Sequence, residues 1–160
     1  MADTVKRIKN LQQAIGMELA AVNQYLMHAL TVEDWGLDKL AATMRAEMSE
    51  ELTHAEGFAS RLIFLGETPA LKPAKVPGRA QSLQEMFEAD LADEKEAIAF
   101  YVAAARDAAE AGDLGTRDMF ERTALDEEGH ATWLELQLSL LKRMGEPAYF
   151  AMNISGATAG

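Results

Sequence analysis

The feature that most constrains this chain is a Glu-x-x-His motif that occurs twice, at Glu51–His54 and at Glu127–His130. A further glutamate lies 33 residues before each motif, Glu18 before the first and Glu94 before the second. At about 100° per residue, positions three apart share one face of an α-helix, so each Glu and His can reach one metal ion. Four glutamates and two histidines in two matched triplets form the ligand set of a carboxylate-bridged di-metal site in a four-helix bundle.

The rest of the chain fits this bundle, because long segments rich in Ala, Leu, Glu, Met and Gln favour helix and contain almost no proline. We predict an all-α fold with long helices at about 4–35, 39–65, 82–111 and 116–144. Each of these helices is followed by a glycine or a loop that contains one. A short fifth helix is expected at about 147–154, with fraying over 155–160. We expect residues 1–160 to form one domain.

The segment 67–81, which carries three of the four prolines, predicts the topology. About 15 residues can extend over ~50 Å, which exceeds the ~40 Å length of a helix of about 27 residues. The links at 36–38 and 112–115 are short and join only antiparallel neighbours. We therefore expect two antiparallel hairpins joined by a long crossover. The six candidate ligands lie near the helix midpoints, so this packing brings them to one level.

Apolar residues at the helical period predict the core faces of the four long helices. They are Leu11, Ile15, Val22, Tyr25, Leu26 and Ala29; Met44, Met48, Leu52, Ala55, Phe58 and Leu62; Leu83, Phe87, Leu91, Ile98, Tyr101 and Val102; and Phe120, Leu125, Trp133, Leu134, Leu138 and Leu141. Glu18 falls within the first stripe, where burial is costly without compensation, so a position at the solvent edge is the alternative. His28 lies about 80° from the Glu18 face and is predicted to be a surface or packing residue.

Composition narrows the chemistry of the site and of its partners. The net charge of −11 argues against nucleic acid, and the absence of cysteine excludes disulfides, iron–sulfur clusters and thiol catalysis. No signal-peptide core and no membrane-spanning apolar run is recognisable, so we expect a cytoplasmic protein without membrane contact. Oxygen-rich ligation with some imidazole suits iron or manganese, and zinc also binds such ligands.

Several stretches beyond the ligands follow one family pattern over essentially the whole chain. They are Gly16–Leu19, Asn23–Tyr25, Trp35–Leu37, Glu51–Ala55, the surroundings of Glu94, Arg117–Met119 and Asp126–His130. In these stretches the sequence resembles bacterioferritin, the bacterial member of the ferritin superfamily. The resemblance implies a ferritin-like bundle, iron storage and detoxification, and a homo-oligomeric shell of twenty-four subunits.

The resemblance also implies a di-iron ferroxidase centre that oxidises Fe²⁺ with O₂ or H₂O₂ and feeds a ferric mineral inside the shell. By the family pattern, two iron ions per subunit would be bridged by Glu51 and Glu127. Glu18 with His54 would complete one iron site. The remaining pair, Glu94 with His130, would complete the other.

Haem is the point at which the sequence departs from the family. Bacterioferritins bind haem b between two subunits through a Met directly after the first motif glutamate, and here that residue is Leu52. Leucine has no lone pair for iron, so the resemblance does not extend to haem binding by this chain alone. Co-assembly with a second, haem-binding subunit is the alternative.

Two other functions are compatible with this ligand set. One is a di-iron oxidase or peroxidase that acts without storing iron, and the other is a structural shell subunit whose centre is idle. Tyr25, Tyr101 and Trp133 lie at positions from which an aromatic ring could donate electrons to the site. Core packing explains such spacing as well, and Tyr25, two turns after Glu18, is our candidate catalytic residue.

Overall fold

The computed structural model describes residues 2–156, with side chains from residue 5 onward, and every regular element in this range is an α-helix. The helices are α1 (Ala2–Asp34), α2 (Asp38–Phe64), α3 (Leu83–Glu110), α4 (Leu114–Met144) and α5 (Glu146–Met152). All predicted bounds lie within two residues of these, and the all-α prediction is confirmed. Of the segment expected to fray, 157–160 lies outside the described residues. Among the described helices, none has an apolar stretch long enough to cross a membrane.

Local signals set the ends of the helices. Gly36 and Gly112 close the two hairpins at φ of 87° and 69°, a region that residues with a Cβ rarely adopt. Asp113 caps α4, because its side chain accepts a hydrogen bond from the Thr116 amide at 3.0 Å. Ser82 caps α3 in the same way by accepting from the amide of Glu85.

The helices form two hairpins, α1 with α2 and α3 with α4, which pack side by side through α1–α3 and α2–α4 contacts. The contacts between α1 and α3 show that the two helices are antiparallel, because they move towards the start of α3 as they move towards the end of α1. They join Asn10 to Asp107, Glu18 to Tyr101, Tyr25 to Glu94 and His28 to Asp90. The antiparallel arrangement expected from the long crossover is therefore present.

Two glutamines of α1 fasten the crossover to the bundle. Gln12 exchanges two hydrogen bonds with the backbone of Ala70, at 2.7 and 2.8 Å. Gln24 does the same with Gly78, at 2.8 and 3.0 Å. Between these points Lys75 reaches α3 and forms a 2.6 Å ion pair with Asp93. The crossover thus lies across α1 and reaches α3, over the level of the candidate ligands.

The hydrophobic core is divided in two by the candidate ligands. One cluster gathers residues from the end of α1, the start of α2 and α5, where Tyr149 is fully buried. The other gathers residues from the start of α1 and the end of α2, around Phe58 and Phe120. Glu18, Glu51 and the other four ligand candidates lie between the two clusters in sequence on every long helix, so apolar packing holds the site from both ends.

Four of the residues predicted for the core are exposed instead. They are Leu26 at 41%, Leu52 at 52%, Val102 at 39% and Leu125 at 65%. Each directly follows a buried residue, and one step along a helix turns the side chain by about 100°. The buried face of each long helix is therefore narrower than the one predicted from the sequence.

Candidate metal centre

The six side chains predicted from the motif spacing converge between the four long helices. Their ligand atoms fall into two groups, within each of which the atoms lie no more than 4.8 Å apart. One group is Glu18, Glu51, His54 and Glu127, and the other is Glu51, Glu94, Glu127 and His130. Glu51 and Glu127 belong to both groups, so the arrangement offers two adjacent metal positions with two shared carboxylates.

The two shared carboxylates each turn one oxygen towards each histidine. Glu51 Oε2 lies 3.5 Å from His54 Nδ1, and its Oε1 lies 3.1 Å from His130 Nδ1. Glu127 Oε1 lies 3.3 Å from His54 Nδ1, and its Oε2 lies 2.8 Å from His130 Nδ1. This is the geometry that a carboxylate needs to bridge two ions.

The other two carboxylates each serve one position. Glu18 Oε2 lies 3.4 Å from His54 Nδ1, and Glu94 Oε1 lies 3.7 Å from His130 Nδ1. Both side chains are buried, at 2% and 6% exposure, which excludes the alternative that Glu18 stands at the solvent edge.

The donor set fits two divalent ions. Four buried carboxylates converge on one point, which is costly unless cations compensate their charge. Glu18, Glu51 and Glu127 each have a buried carboxylate oxygen without a hydrogen-bond partner, as does Nδ1 of both histidines. All five of these atoms are on residues of the two ligand groups, and two divalent ions would balance four ionised carboxylates.

The pKa values divide the carboxylates into the same two classes. Burial raises the pKa of Glu18 well above its ordinary value, and burial likewise raises that of Glu94, to about 8. For the shared Glu51 and Glu127, burial also favours the neutral form, but the two histidines that face each carboxylate outweigh it and lower both pKa values. The shared carboxylates therefore hold their charge, while the outer two favour protonation.

The histidine pKa values respond to the same contacts. Burial disfavours the imidazolium, yet the close carboxylates of the surrounding glutamates raise the pKa of both His54 and His130. A metal ion must therefore displace protons from the imidazoles before it can bind there.

Carboxylates outside the centre contact the far nitrogen of each imidazole. His54 Nε2 donates a 3.1 Å hydrogen bond to Asp126 Oδ2. His130 Nε2 lies 3.1 Å from Glu47 Oε2 and 3.5 Å from Glu50 Oε2, although the Glu47 contact lacks hydrogen-bond alignment. Such outer partners orient metal-binding histidines and raise their basicity.

The sequence predicted no contact of Asp126, Glu47 or Glu50 with the two histidines. These contacts run from α2 to α4, so no spacing within one helix could have revealed them. The one signal in the sequence is that all three carboxylates lie within four residues of a motif residue.

Two tyrosine hydroxyls contact the outer carboxylates across the two hairpins. Tyr25 on α1 donates a 2.9 Å hydrogen bond to Glu94 Oε1 on α3. Tyr101 on α3 donates to Glu18 Oε1 on α1. A spacing of seven residues places Tyr25 on the helix face of Glu18 and Tyr101 on that of Glu94. The structure instead pairs each tyrosine with the outer glutamate of the opposite hairpin.

His28 lies apart from the centre, as the sequence analysis expected. It is 2% exposed, and its Nε2 lies 2.8 Å from Asp90 Oδ1 on α3. Gln24 contacts the same ring. His28 is therefore a packing residue that joins the two hairpins one turn beyond Tyr25.

A cavity of about 400 Å³ leads from the crossover to the carboxylates. Lys75, Val76 and Pro77 line its crossover side, and Glu18 and Tyr101 are among the residues at its inner side. Neither histidine lines it. The centre thus has a carboxylate side towards α1, α3 and the cavity, and a histidine side towards α2 and α4.

Comparisons with known proteins agree with this geometry. A ferritin-like domain family matches residues 8–144. The chain is similar to the bacterioferritin of Brucella melitensis, with 38% identity over 95% of this chain and 94% of the relative. It is 37% identical to the bacterioferritin of Rhodobacter capsulatus, over 96% of this chain and 95% of the relative.

Two solved structures have the same fold. The structure of Rhodobacter capsulatus bacterioferritin gives a TM-score of 0.92 at 36% identity and covers 98% of each chain. Mycobacterium tuberculosis BfrA gives 0.89 at 34% identity, over 93% of this chain and 94% of that one. The family match spans most of the sequence, and the relatives align over nearly their whole length. The chain therefore belongs to the ferritin family, with the bacterioferritins as its relatives.

Proposed function

We propose that this protein stores iron and oxidises Fe²⁺ at a di-iron ferroxidase centre held by Glu18, Glu51, His54, Glu94, Glu127 and His130. The observation that carries the proposal is the sharing of two carboxylates between two metal positions. Family membership supports iron as the metal, since the relatives are bacterioferritins.

The side chains would have different roles in such a centre. Glu51 and Glu127 would bridge the two irons, because each already turns one oxygen to each histidine. His54 and His130 would bind through Nδ1, and Asp126 and Glu47 lie at the far ring nitrogens. When bound, an iron pair supplies the one-electron chemistry between Fe²⁺ and Fe³⁺ that reduces O₂ or H₂O₂.

Tyr25 has a separate role in this proposal. It positions Glu94 through its hydrogen bond, and its ring is an electron source for reactions that need more than two electrons. Its hydroxyl proton already points to Glu94 Oε1, which would receive the proton if the ring gave up an electron.

The direct test is aerobic addition of Fe²⁺ to the chelator-treated protein, followed by absorbance. We expect a fast phase that saturates near two irons per subunit and then slower mineral growth. Glu51→Ala/His54→Ala should abolish the fast phase. Glu56→Ala removes an exposed carboxylate from the same helix and should leave it intact. A fast phase that survives in the double variant would exclude this centre as the catalyst.

We further propose a cytoplasmic shell of twenty-four subunits, because storage needs an enclosed volume that one bundle lacks. Light scattering measures the mass of the assembly and so tests this proposal. An isolated dimer would favour the di-iron oxidase that acts without storing iron. An inert centre within an intact shell would favour the structural subunit.

Haem binding is a separate question for the assembled shell. Leu52 is 52% exposed on α2, and it cannot ligate iron. We therefore expect a homo-oligomer of this chain to bind no haem through position 52. Native mass spectrometry that reveals a second subunit type would support co-assembly with a haem-binding partner.

A further inference from the structure

Tyr101 differs from an ordinary core tyrosine in where its hydroxyl lies. The residue is fully buried, and its ring packs against Phe58, Phe100 and Phe120 at centroid distances of 5.6, 5.5 and 5.9 Å. Only the hydroxyl leaves this aromatic cluster, and it donates to Glu18 Oε1. Three aromatic neighbours hold the ring, so packing fixes the position of the hydroxyl oxygen beside Glu18.

We propose that Tyr101 is a positioning residue for Glu18, and that its hydrogen bond sets the affinity of the metal position formed by Glu18 and His54. The inference rests on the proposed function, since it concerns one half of that di-metal centre. It makes Tyr101 the counterpart of Tyr25, which contacts the other outer carboxylate, Glu94.

The two oxygens of Glu18 show what the hydrogen bond achieves. Oε1 accepts from Tyr101, while Oε2 faces His54 Nδ1 at 3.4 Å and has no hydrogen-bond partner. The tyrosine thus occupies one oxygen and leaves the other for the metal. Glu18 also lines the cavity below the crossover, so without the hydroxyl its carboxylate has open volume into which it can turn.

The shared carboxylates do not need such a restraint. Glu51 and Glu127 are each held from two sides by the histidines. Glu18 has only His54 among the histidines, so its second contact comes from Tyr101. Loss of the hydroxyl should therefore weaken one metal position and spare the other.

The experiment is a Co²⁺ titration of the chelator-treated, assembled protein, followed by the visible absorbance of bound cobalt. The unaltered protein should bind two Co²⁺ per subunit. In Tyr101→Phe, we expect one position to keep its affinity and the other to weaken by about tenfold or more. Tyr149→Phe is the matched control, because it removes another buried hydroxyl, one bonded to Gln137 and away from the centre. It should leave both affinities unchanged.

A second variant assigns the weakened position. His54→Ala removes one ligand of the Glu18 position, so adding Tyr101→Phe to it should cause no further loss. In His130→Ala, where the Glu18 position remains, Tyr101→Phe should still weaken binding by the same factor. A purely structural role would instead weaken both positions equally in every background.

Tyrosine absorbance gives a readout that does not depend on removing Tyr101. The chain has three tyrosines, so Tyr25→Phe/Tyr149→Phe leaves Tyr101 as the only one. Its ultraviolet difference spectrum should change as Co²⁺ binds. An unchanged spectrum, or two unchanged affinities in Tyr101→Phe, would overturn the inference. Failure of the unaltered protein to bind two Co²⁺ would instead overturn the di-metal centre itself.

Discussion

The hydroxyl of Tyr25 and the carboxylate of Glu94 are joined by a 2.9 Å hydrogen bond across 69 residues of sequence. The bond links the first hairpin to the second at the level of the metal ligands. Both partners are buried, and the pKa of Tyr25 is raised by burial and by the nearby Glu94 charge, so the tyrosine keeps its proton. A buried outer carboxylate thus receives a donor that the opposite hairpin supplies.

This contact predicts the effect of Tyr25→Phe on catalysis. Loss of the donor should slow the fast phase of Fe²⁺ oxidation by roughly tenfold to a hundredfold, the range typical of outer partners of metal ligands. Stopped-flow absorbance on the assembled protein measures this rate, with Tyr149→Phe as the control. An unchanged rate in Tyr25→Phe would show that the hydrogen bond from Tyr25 to Glu94 does not contribute to oxidation.

The shared and outer carboxylates should respond differently to substitution. In Glu127→Gln, one ligand of both positions is altered, so metal analysis after Co²⁺ loading should find less than one ion per subunit. In Glu18→Gln, the position of Glu94 and His130 keeps all its ligands, and one ion should remain. Equal losses in the two variants would argue against shared carboxylates.

The site was more predictable from the sequence than its surroundings were. Glu18 and Glu51 could be paired with Glu94 and Glu127 because a repeated spacing survives in the chain and helix geometry turns it into a shared level. Contacts between hairpins have no such period. The contact of Glu47 with His130 depends on how α2 and α4 pack, and that packing leaves no local signal in either helix.

The sequence predicted where the buried face of each helix lies, but not how wide that face is. The stripe on α1 was right about Tyr25 and wrong about Leu26, because a hydrophobicity pattern gives the direction of a face but not its width. Leu26 and the other exposed apolar residues on the bundle surface are compatible with contacts between subunits, which a single chain cannot display.

The pKa shifts predict opposite pH trends with and without metal. In the chelator-treated protein, the pKa of Glu94 is about 8 against an ordinary 4.5, so the folded state holds a proton that the unfolded chain releases. This contribution to stability is complete below about pH 4.5 and is lost as the pH rises towards 8. The raised histidine pKa values act in the same direction above their ordinary 6.5. The unfolding temperature should therefore fall between about pH 6 and pH 8.

With Co²⁺ bound, the trend should reverse. The metal competes with protons for the same ligands, so its binding and the stabilisation that it brings should grow with pH. Calorimetry at about pH 6 and pH 8, with and without Co²⁺, measures both trends. Glu94→Gln should flatten the slope of the chelator-treated protein, whereas Glu110→Gln, at an exposed helix end, should not. Parallel slopes with and without metal would contradict the assignment of these groups as ligands.

The His28–Asp90 pair offers a test that separates stability from metal binding. Both side chains are buried, and their 2.8 Å contact joins α1 to α3. His28→Ala would leave Asp90 buried without its hydrogen-bond partner, which typically costs about 1–3 kcal/mol and more for a charged group. The free energy of unfolding, measured in urea, should fall by this amount, while the Co²⁺ stoichiometry stays at two per subunit because the pair contributes no atom to either ligand group.

The control variant is Arg45→Ala, which removes an exposed ion pair with Glu33 and should cost less than about 1 kcal/mol. If His28→Ala lowered the Co²⁺ stoichiometry in protein that is still folded, this pair would belong to the metal centre and not to the packing of the hairpins.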